Sequence, residues 1–261
     1  METMKKVIEV INGNSKISYE DKIRLVDVIY DFHVRFSSIS LENLCKNLRA
    51  LKGIETGSKL LYKQAYEYSP FDNRIFMNNE KQYDPDVDLR HSLMKEVLKM
   101  ITQTGISYGF GGGSLDALNV GFLEILAANI VGNETKNSDF EDEQIIVNFI
   151  GKSIGFDVFK NAFFQNNPEL LMKELLVKCG SLEKLNGFLE MANNNMRTRT
   201  SSGVSRLYHL QVHAASMFDV DKDYIMKKGT MEAFSDYKYV DIEELDNLVI
   251  EQTRTWRKGG K

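Results

Sequence analysis

Cysteine is scarce in this chain, which has two cysteines, Cys45 and Cys179, among 261 residues. Both lie in apolar stretches with a helical pattern, so we expect buried free thiols rather than a disulfide, and a cytoplasmic location. The N-terminal residues lack the apolar core of a signal peptide, and no apolar run approaches the length of a membrane span. The sequence therefore predicts no membrane association.

An excess of positive charge is also missing. The formal net charge is −4 and the pI is about 5.7, which gives no general attraction to nucleic acid. The only basic cluster surrounds Trp256 near the C-terminal end, where we expect a frayed terminus. Repeats and low-complexity linkers are absent, so the length indicates one large domain or two closely packed ones.

Signatures of covalent or phosphate chemistry are lacking as well. Neither cysteine has a histidine nearby in sequence, and no G-x-S-x-G segment occurs. Residues 105–114 are rich in glycine but lack the Lys-Ser/Thr pair of a phosphate-binding loop. We interpret this segment as a flexible connector, with Ser114 as the N-cap of a following helix.

Helical patterns dominate the chain, and alternating patterns occur only around residues 59–67 and 74–77. Ser18 has the sequence context of a helix N-cap, and Ser40 begins another predicted helix. Toward the C-terminus, helices are predicted over 143–150, 168–178, 182–195, 204–218 and 242–255. The expected class is α+β and mostly α, with a small mixed or antiparallel sheet followed by a helical C-terminal part.

Two segments of the central region form the most informative pattern. Residues 94–100 read Met-Lys-Glu-Val-Leu-Lys-Met, and residues 118–124 read Leu-Asn-Val-Gly-Phe-Leu-Glu. Together they resemble the gluzincins, zinc peptidases of the aminopeptidase N type, which carry H-E-x-x-H on one helix and N-E-G on a following helix. The resemblance implies a zincin-like fold over about residues 59–131.

The same resemblance implies that the zinc ligands have been replaced. Lys95 and Lys99 stand at the histidine positions and Val120 at the third ligand, while Glu96 keeps the general-base position and Glu124 the last acidic one. A protonated lysine has no lone pair to donate to zinc, and valine has no donor atom. Without metal, no activated water exists for the glutamate to deprotonate. We expect no catalytic residues, no metal and no cofactor.

The resemblance also implies an organisation and a function. We predict an N-terminal helical cap over 1–58, a zincin-like core over 59–132 and a helical C-terminal subdomain over 133–261. An edge strand before the motif helix would pair with an extended protein or peptide, in a groove formed by Asn73, Ile75, Met77, Lys95, Glu96, Lys99 and Asn119. The chain would then be a catalytically inactive pseudo-peptidase that binds or regulates a partner, for which the lysines suit a carboxylate.

Three alternatives remain open. The motif helix could be an ordinary amphipathic helix whose polar residues, Ser92, Lys95, Glu96, Lys99 and Gln103, form a solvated face. His209 and His213, four residues apart, could hold the metal of a relocated hydrolase site, the only interpretation that requires zinc. The chain could also be a helical interaction module of a mobile-element or defence type, which the absence of a mixed sheet before the motif helix would indicate.

Overall fold

A computed structural model describes residues 2–57, 65–78, 89–132, 140–198, 203–219 and 242–257. Within these ranges it contains 11 α-helices and a sheet of 3 strands. The elements are α1 (Glu2–Gly13), α2 (Tyr19–Arg35), α3 (Glu42–Ala50), β1 (Ile54–Gly57), β2 (Tyr66–Ser69), β3 (Arg74–Asn78), α4 (Leu89–Thr102), α5 (Asp116–Val131), α6 (Glu141–Ile154), α7 (Phe156–Phe164), α8 (Pro168–Cys179), α9 (Leu182–Arg197), α10 (Gly203–Phe218) and α11 (Ile242–Arg257). The predicted class, mostly helical α+β, is confirmed.

Local sequence signals place several helix ends. The Ser18 hydroxyl caps α2 by accepting a hydrogen bond from the Asp21 N–H at 3.1 Å. The prediction that Ser114 caps α5 is wrong, because Ser114 lies inside a short 3-10 turn, Gly113–Leu115. The sequence patterns did not predict α7. A single residue, Gly155 at φ +91°, separates it from α6, so no longer polar turn marks the boundary between the two helices.

The sheet has the order β1-β3-β2, with β3 parallel to β1 and antiparallel to β2. Ile75 at the middle of β3 is in register with Ile54 on one side and Tyr68 on the other. The expectation of an edge strand around residues 73–77 is therefore wrong, since strands flank β3 on both sides. The wholly helical alternative is wrong too, because a mixed sheet precedes α4.

The chain divides into two compact units. Unit 1 comprises Met1–Ile106, Ala127–Glu134 and Ala233–Lys261, and unit 2 comprises Ser107–Leu126 and Thr135–Glu232. Unit 1 thus contains the sheet, the first four helices and α11, whereas unit 2 is helical in its described part. Strand β1 lies inside residues 1–58, which were predicted to form a helical cap. The predicted division of the chain into three parts at residues 58 and 132 stays a prediction.

Helix α11 packs on α1 and α2 within unit 1. Trp256 is 3% exposed, and its indole N–H donates to Asn12 Oδ1 at 3.2 Å. The Lys22 ammonium lies 5.8 Å from the centroid of the Trp256 ring, a cation–π distance. The expectation of a frayed terminus is wrong as far as Arg257, because a buried aromatic ring fixes this helix. The rest of the predicted tail, residues 258–261, lies outside the described residues.

Among the described residues one segment, Gly113–Val131, is long and apolar enough to cross a membrane, contrary to the expectation that no run has this length. It includes α5, and 67% of the apolar window is buried inside the protein. Buried core helices and membrane spans share this composition, since both are apolar on every face. Length and composition therefore leave the prediction of no membrane association untested.

Candidate functional site

The polar face of α4 is buried rather than solvated. Ser92 is 3% exposed, Lys95 7% and Glu96 0%. The alternative of an ordinary helix with a solvated polar face is therefore wrong. This face lies against β2, and its side chains bond to the backbone of that strand.

Two side chains of α4 cover the outer edge of β2. Ser92 Oγ accepts a hydrogen bond from the Tyr66 N–H at 3.0 Å, and Glu96 Oε2 accepts one from the Tyr68 N–H at 2.7 Å. Donors two residues apart on a strand and acceptors four apart on a helix are both separated by about 6–7 Å, so the spacings match. The helix thereby satisfies the N–H groups that a further strand would otherwise pair with.

The carboxylate of Glu96 is held from two directions. Besides the Tyr68 N–H, the Lys99 ammonium donates to Glu96 Oε1 at 3.1 Å and to Oε2 at 2.9 Å. The Lys99 side chain is 17% exposed and that of Glu96 1%. A buried lysine requires an acidic contact, and Glu96, at the general-base position, supplies that contact to Lys99 within unit 1.

The predicted groove residues of β3 and its preceding turn lie in the same network or in the core. Asn73, at φ +50°, and Gln103 each place a side-chain oxygen near the Tyr68 hydroxyl, at 3.0 and 2.8 Å. Ile75 is fully buried and Met77 half-buried. Their assignment to a partner-binding groove stays a prediction. Such a groove would not involve strand pairing to β3, because β3 already pairs with a strand on each side.

In unit 2, Asn119 organises the glycine-rich loop. It is 2% exposed; its Oδ1 accepts from the Phe110 N–H at 3.1 Å, and its Nδ2 donates to the Tyr108 carbonyl at 3.1 Å. A Cβ on Gly109 or Gly111 would lie 2.5 Å from an Asn119 side-chain atom. The glycines therefore allow the loop to approach this amide closely, which accounts for Asn119 structurally.

The remaining residues of the second motif pack inside unit 2. A Cβ on Gly121 would lie 2.4 Å from the Glu143 carbonyl oxygen, so glycine permits close contact between α5 and α6. Phe122 stacks on Phe159 with ring centroids 5.4 Å apart, in a cluster with Phe110 and Phe163. At the two remaining positions of the gluzincin pattern, Val120 is half-buried and Glu124 is 1% exposed.

The described residues contain no group of three or more His, Cys, Asp or Glu side chains that could hold a metal ion. His213 is exposed on α10, and the side chain of His209 lies outside the described residues. The relocated metal site stays a prediction. Both cysteines are free, as predicted, and burial raises the pKa of the Cys45 thiol, which makes it a poor nucleophile.

A cavity of about 540 Å³ lies in unit 1, between α2, the start of α4, α11 and Tyr66 of β2. Five of its lining residues come from α2: Arg24, Asp27, Val28, Tyr30 and Asp31. The sequence interpretation considered only the apolar face of α2 and missed this site. The available signal was the spacing of Arg24, Asp27 and Asp31, which places three charged residues on one helix face.

Charged and phenolic groups of the cavity bond to each other. Arg90 forms an ion pair with Asp31, and the Tyr30 hydroxyl donates to Asp246 on α11. Burial raises the pKa of Asp31 above its ordinary value, although the Arg90 guanidinium opposes this shift. Burial and the hydrogen bond to Asp246 raise the pKa of Tyr30 to about 12. The cavity thus keeps the Asp31 carboxylate in a partly desolvated setting.

No protein-family model, curated protein or solved structure matches this chain. The likeness to gluzincins therefore depends on the two sequence segments and on the order of elements around them.

Proposed function

We propose that this protein is a non-catalytic binding protein of zincin-like organisation, and that it binds its ligand in the cavity of unit 1. The observation that supports the proposal most strongly is the cavity itself. Its volume of about 540 Å³ lies within the range of roughly 300–1,000 Å³ typical of small-molecule sites. Apolar walls combined with a few polar groups that fix orientation are also typical of such sites.

The state of Glu96 supports a role without peptidase chemistry. A general base must reach a water or substrate proton, whereas this carboxylate is fully buried and bonds to the Tyr68 N–H and the Lys99 ammonium. The ammonium groups of Lys95 and Lys99 do not ligate zinc while protonated. In this proposal the helix that carries catalysis in gluzincins has a structural role here.

The order of elements supports the zincin-like part of the proposal. An antiparallel strand pair, β2 and β3, precedes α4, and the glycine-rich loop connects α4 to α5. The central position of β3 differs from the zincin pattern, in which the strand before the motif helix is an edge that pairs with substrate. The proposal therefore places the ligand in the cavity rather than along β3.

We expect the purified, tag-free chain to retain no stoichiometric zinc after exposure to zinc and desalting, and to hydrolyse no aminopeptidase or endopeptidase reporter substrates. The reason is that the described part of the chain offers no three-ligand cluster. The measurements are elemental analysis and a fluorogenic peptide assay. A His213→Ala variant serves as the comparison, because it removes one residue of the relocated site.

Zinc near one per chain in the parent protein would contradict the proposal. Loss of that zinc in the His213→Ala variant would then place the metal site on α10. Peptide hydrolysis that a chelator abolishes would contradict the non-catalytic role directly.

A further inference from the structure

The cavity of unit 1 carries an inference about the chemistry of its ligand, which rests on the proposed binding function. Three aspartates line it, Asp27, Asp31 and Asp246, against two arginines, Arg24 and Arg90. The lining therefore carries more negative than positive charge.

Arg24 contributes little positive charge to the cavity. Its guanidinium pairs with Glu20 and lies 3.3 Å from Asp21, and neither of these acids is part of the lining. It also donates to the Tyr66 hydroxyl at 3.4 Å. Two carboxylates outside the lining thus compensate Arg24, while Arg90 pairs with Asp31 of the lining.

Arg90 lies at the surface, with a side chain 58% exposed, whereas the side chain of its partner Asp31 is 18% exposed. Solvent screens the charge of an exposed arginine, so this ion pair compensates the buried carboxylate only in part. The raised pKa of Asp31 agrees, since burial outweighs the effect of Arg90. Tyr30 donates to Asp246, which is exposed on α11, so solvent screens that carboxylate as well.

The other walls of the cavity are apolar or aromatic. Val28 and Leu93 are 1% and 2% exposed, and Val249 is 6% exposed. Tyr30, which is half-buried, also lines the space, and aromatic rings attract cations. Leu89 and Ile250, which are 37% and 59% exposed, add accessible apolar surface on which a hydrocarbon chain can lie while a cationic end reaches the carboxylates.

We propose that this cavity binds a small organic cation, an alkyl ammonium or alkyl guanidinium. Its charged end lies among Asp31, Asp246 and the Tyr30 ring, and its hydrocarbon part lies on Leu89 and Ile250. Two sources supply this chemistry: a free polyamine, or the lysine or arginine side chain of a peptide.

The test uses the full chain and isothermal titration calorimetry. The probes n-pentylammonium, 1-pentanol and hexanoate share a five-carbon chain and differ in charge. We expect the ammonium to bind at least about tenfold more tightly than the alcohol, because a charge-assisted hydrogen bond to a carboxylate is stronger than a neutral one. Spermidine and N-acetyl-lysine methylamide then distinguish the two sources by which binds more tightly.

Two variants locate the effect. Asp246→Asn is expected to reduce the preference for the ammonium over the alcohol about tenfold. Asp157→Asn is the matched control, because Asp157 is an exposed, ion-paired aspartate on α7, outside the cavity lining, and this change leaves the preference as it is. The comparison of the three probes on the parent protein tests the inference even if the Asp246→Asn variant fails to fold.

The outcomes separate this inference from the proposed function. Equal binding of the three probes, or preference for hexanoate, overturns the cationic ligand but leaves a binding cavity in place. An equal loss of preference in the Asp157 variant overturns it as well. Failure of every probe, spermidine included, to bind at millimolar concentration overturns the inference and contradicts the proposed function.

Discussion

Replacing Glu96 by alanine is expected to lower the free energy of unfolding by about 3 kcal/mol. The change removes the acceptor of the Tyr68 N–H and the carboxylate that pairs with Lys99, inside a helix–sheet contact from which water is excluded. Glu96→Gln retains an acceptor for the N–H but loses the charge, so we expect a smaller loss of about 1–2 kcal/mol. Denaturant unfolding measures both values.

A matched control for this prediction is Glu9→Ala, which removes an exposed glutamate from α1 and should change stability by less than about 0.5 kcal/mol. Amide hydrogen exchange adds a local measurement, since the Tyr68 amide should exchange faster in Glu96→Ala than in Glu96→Gln. If Glu96→Ala were as stable as the parent, the carboxylate would have no structural role, and a catalytic or ligand-binding role would have to be reconsidered.

Gly121→Ala is expected to destabilise the protein by about 2–3 kcal/mol. The added Cβ would lie 2.4 Å from the backbone oxygen and 2.5 Å from the carbonyl carbon of Glu143, so α5 and α6 would have to move apart. Their separation would also disturb the contacts of Phe122 with Phe159 and Phe163, next to Gly121. Thermal and denaturant unfolding measure the loss.

Gly187→Ala in α9 is the matched control, because a Cβ there meets no atom within 4 Å. In a helix, alanine in place of an unconstrained glycine should raise stability by about 0.5–1 kcal/mol. Opposite signs for the two substitutions would confirm close contact at Gly121. Stabilisation by both would contradict the packing of α5 on α6.

Sequence periodicity predicted α4 and its two faces but not the environment of the polar one. Ser92 and Glu96 have the spacing of an ordinary solvated face. They are buried because they accept hydrogen bonds from backbone N–H groups at the edge of β2 that no strand covers. β2 and α4 are separated in sequence, and a helical pattern carries no information about such a pairing. The same limit applies to Asn119, whose partners are backbone groups of the loop before it.

Apart from the charged face of α2, the cavity could not be predicted from the sequence, for a related reason. Tyr30 and Asp246 bond across a separation of 216 residues, and nothing local in either helix indicates the other. The end of the chain around Trp256 was predicted to be frayed because the residues that Trp256 contacts, Asn12 and Lys22, lie at the opposite end of the sequence. Helix existence was predictable along most of the chain, whereas long-range contacts were not.

The most direct test of the account is NMR mapping of n-pentylammonium on the isotope-labelled chain. We predict that the largest shift changes occur at backbone amides of residues 27–31 in α2 and 246–250 in α11, which carry the cavity lining. Changes concentrated at residues 95–103 of α4 would indicate that the polar face of the motif helix binds ligand. That result would contradict the structural role assigned to Glu96 and the location of the binding site.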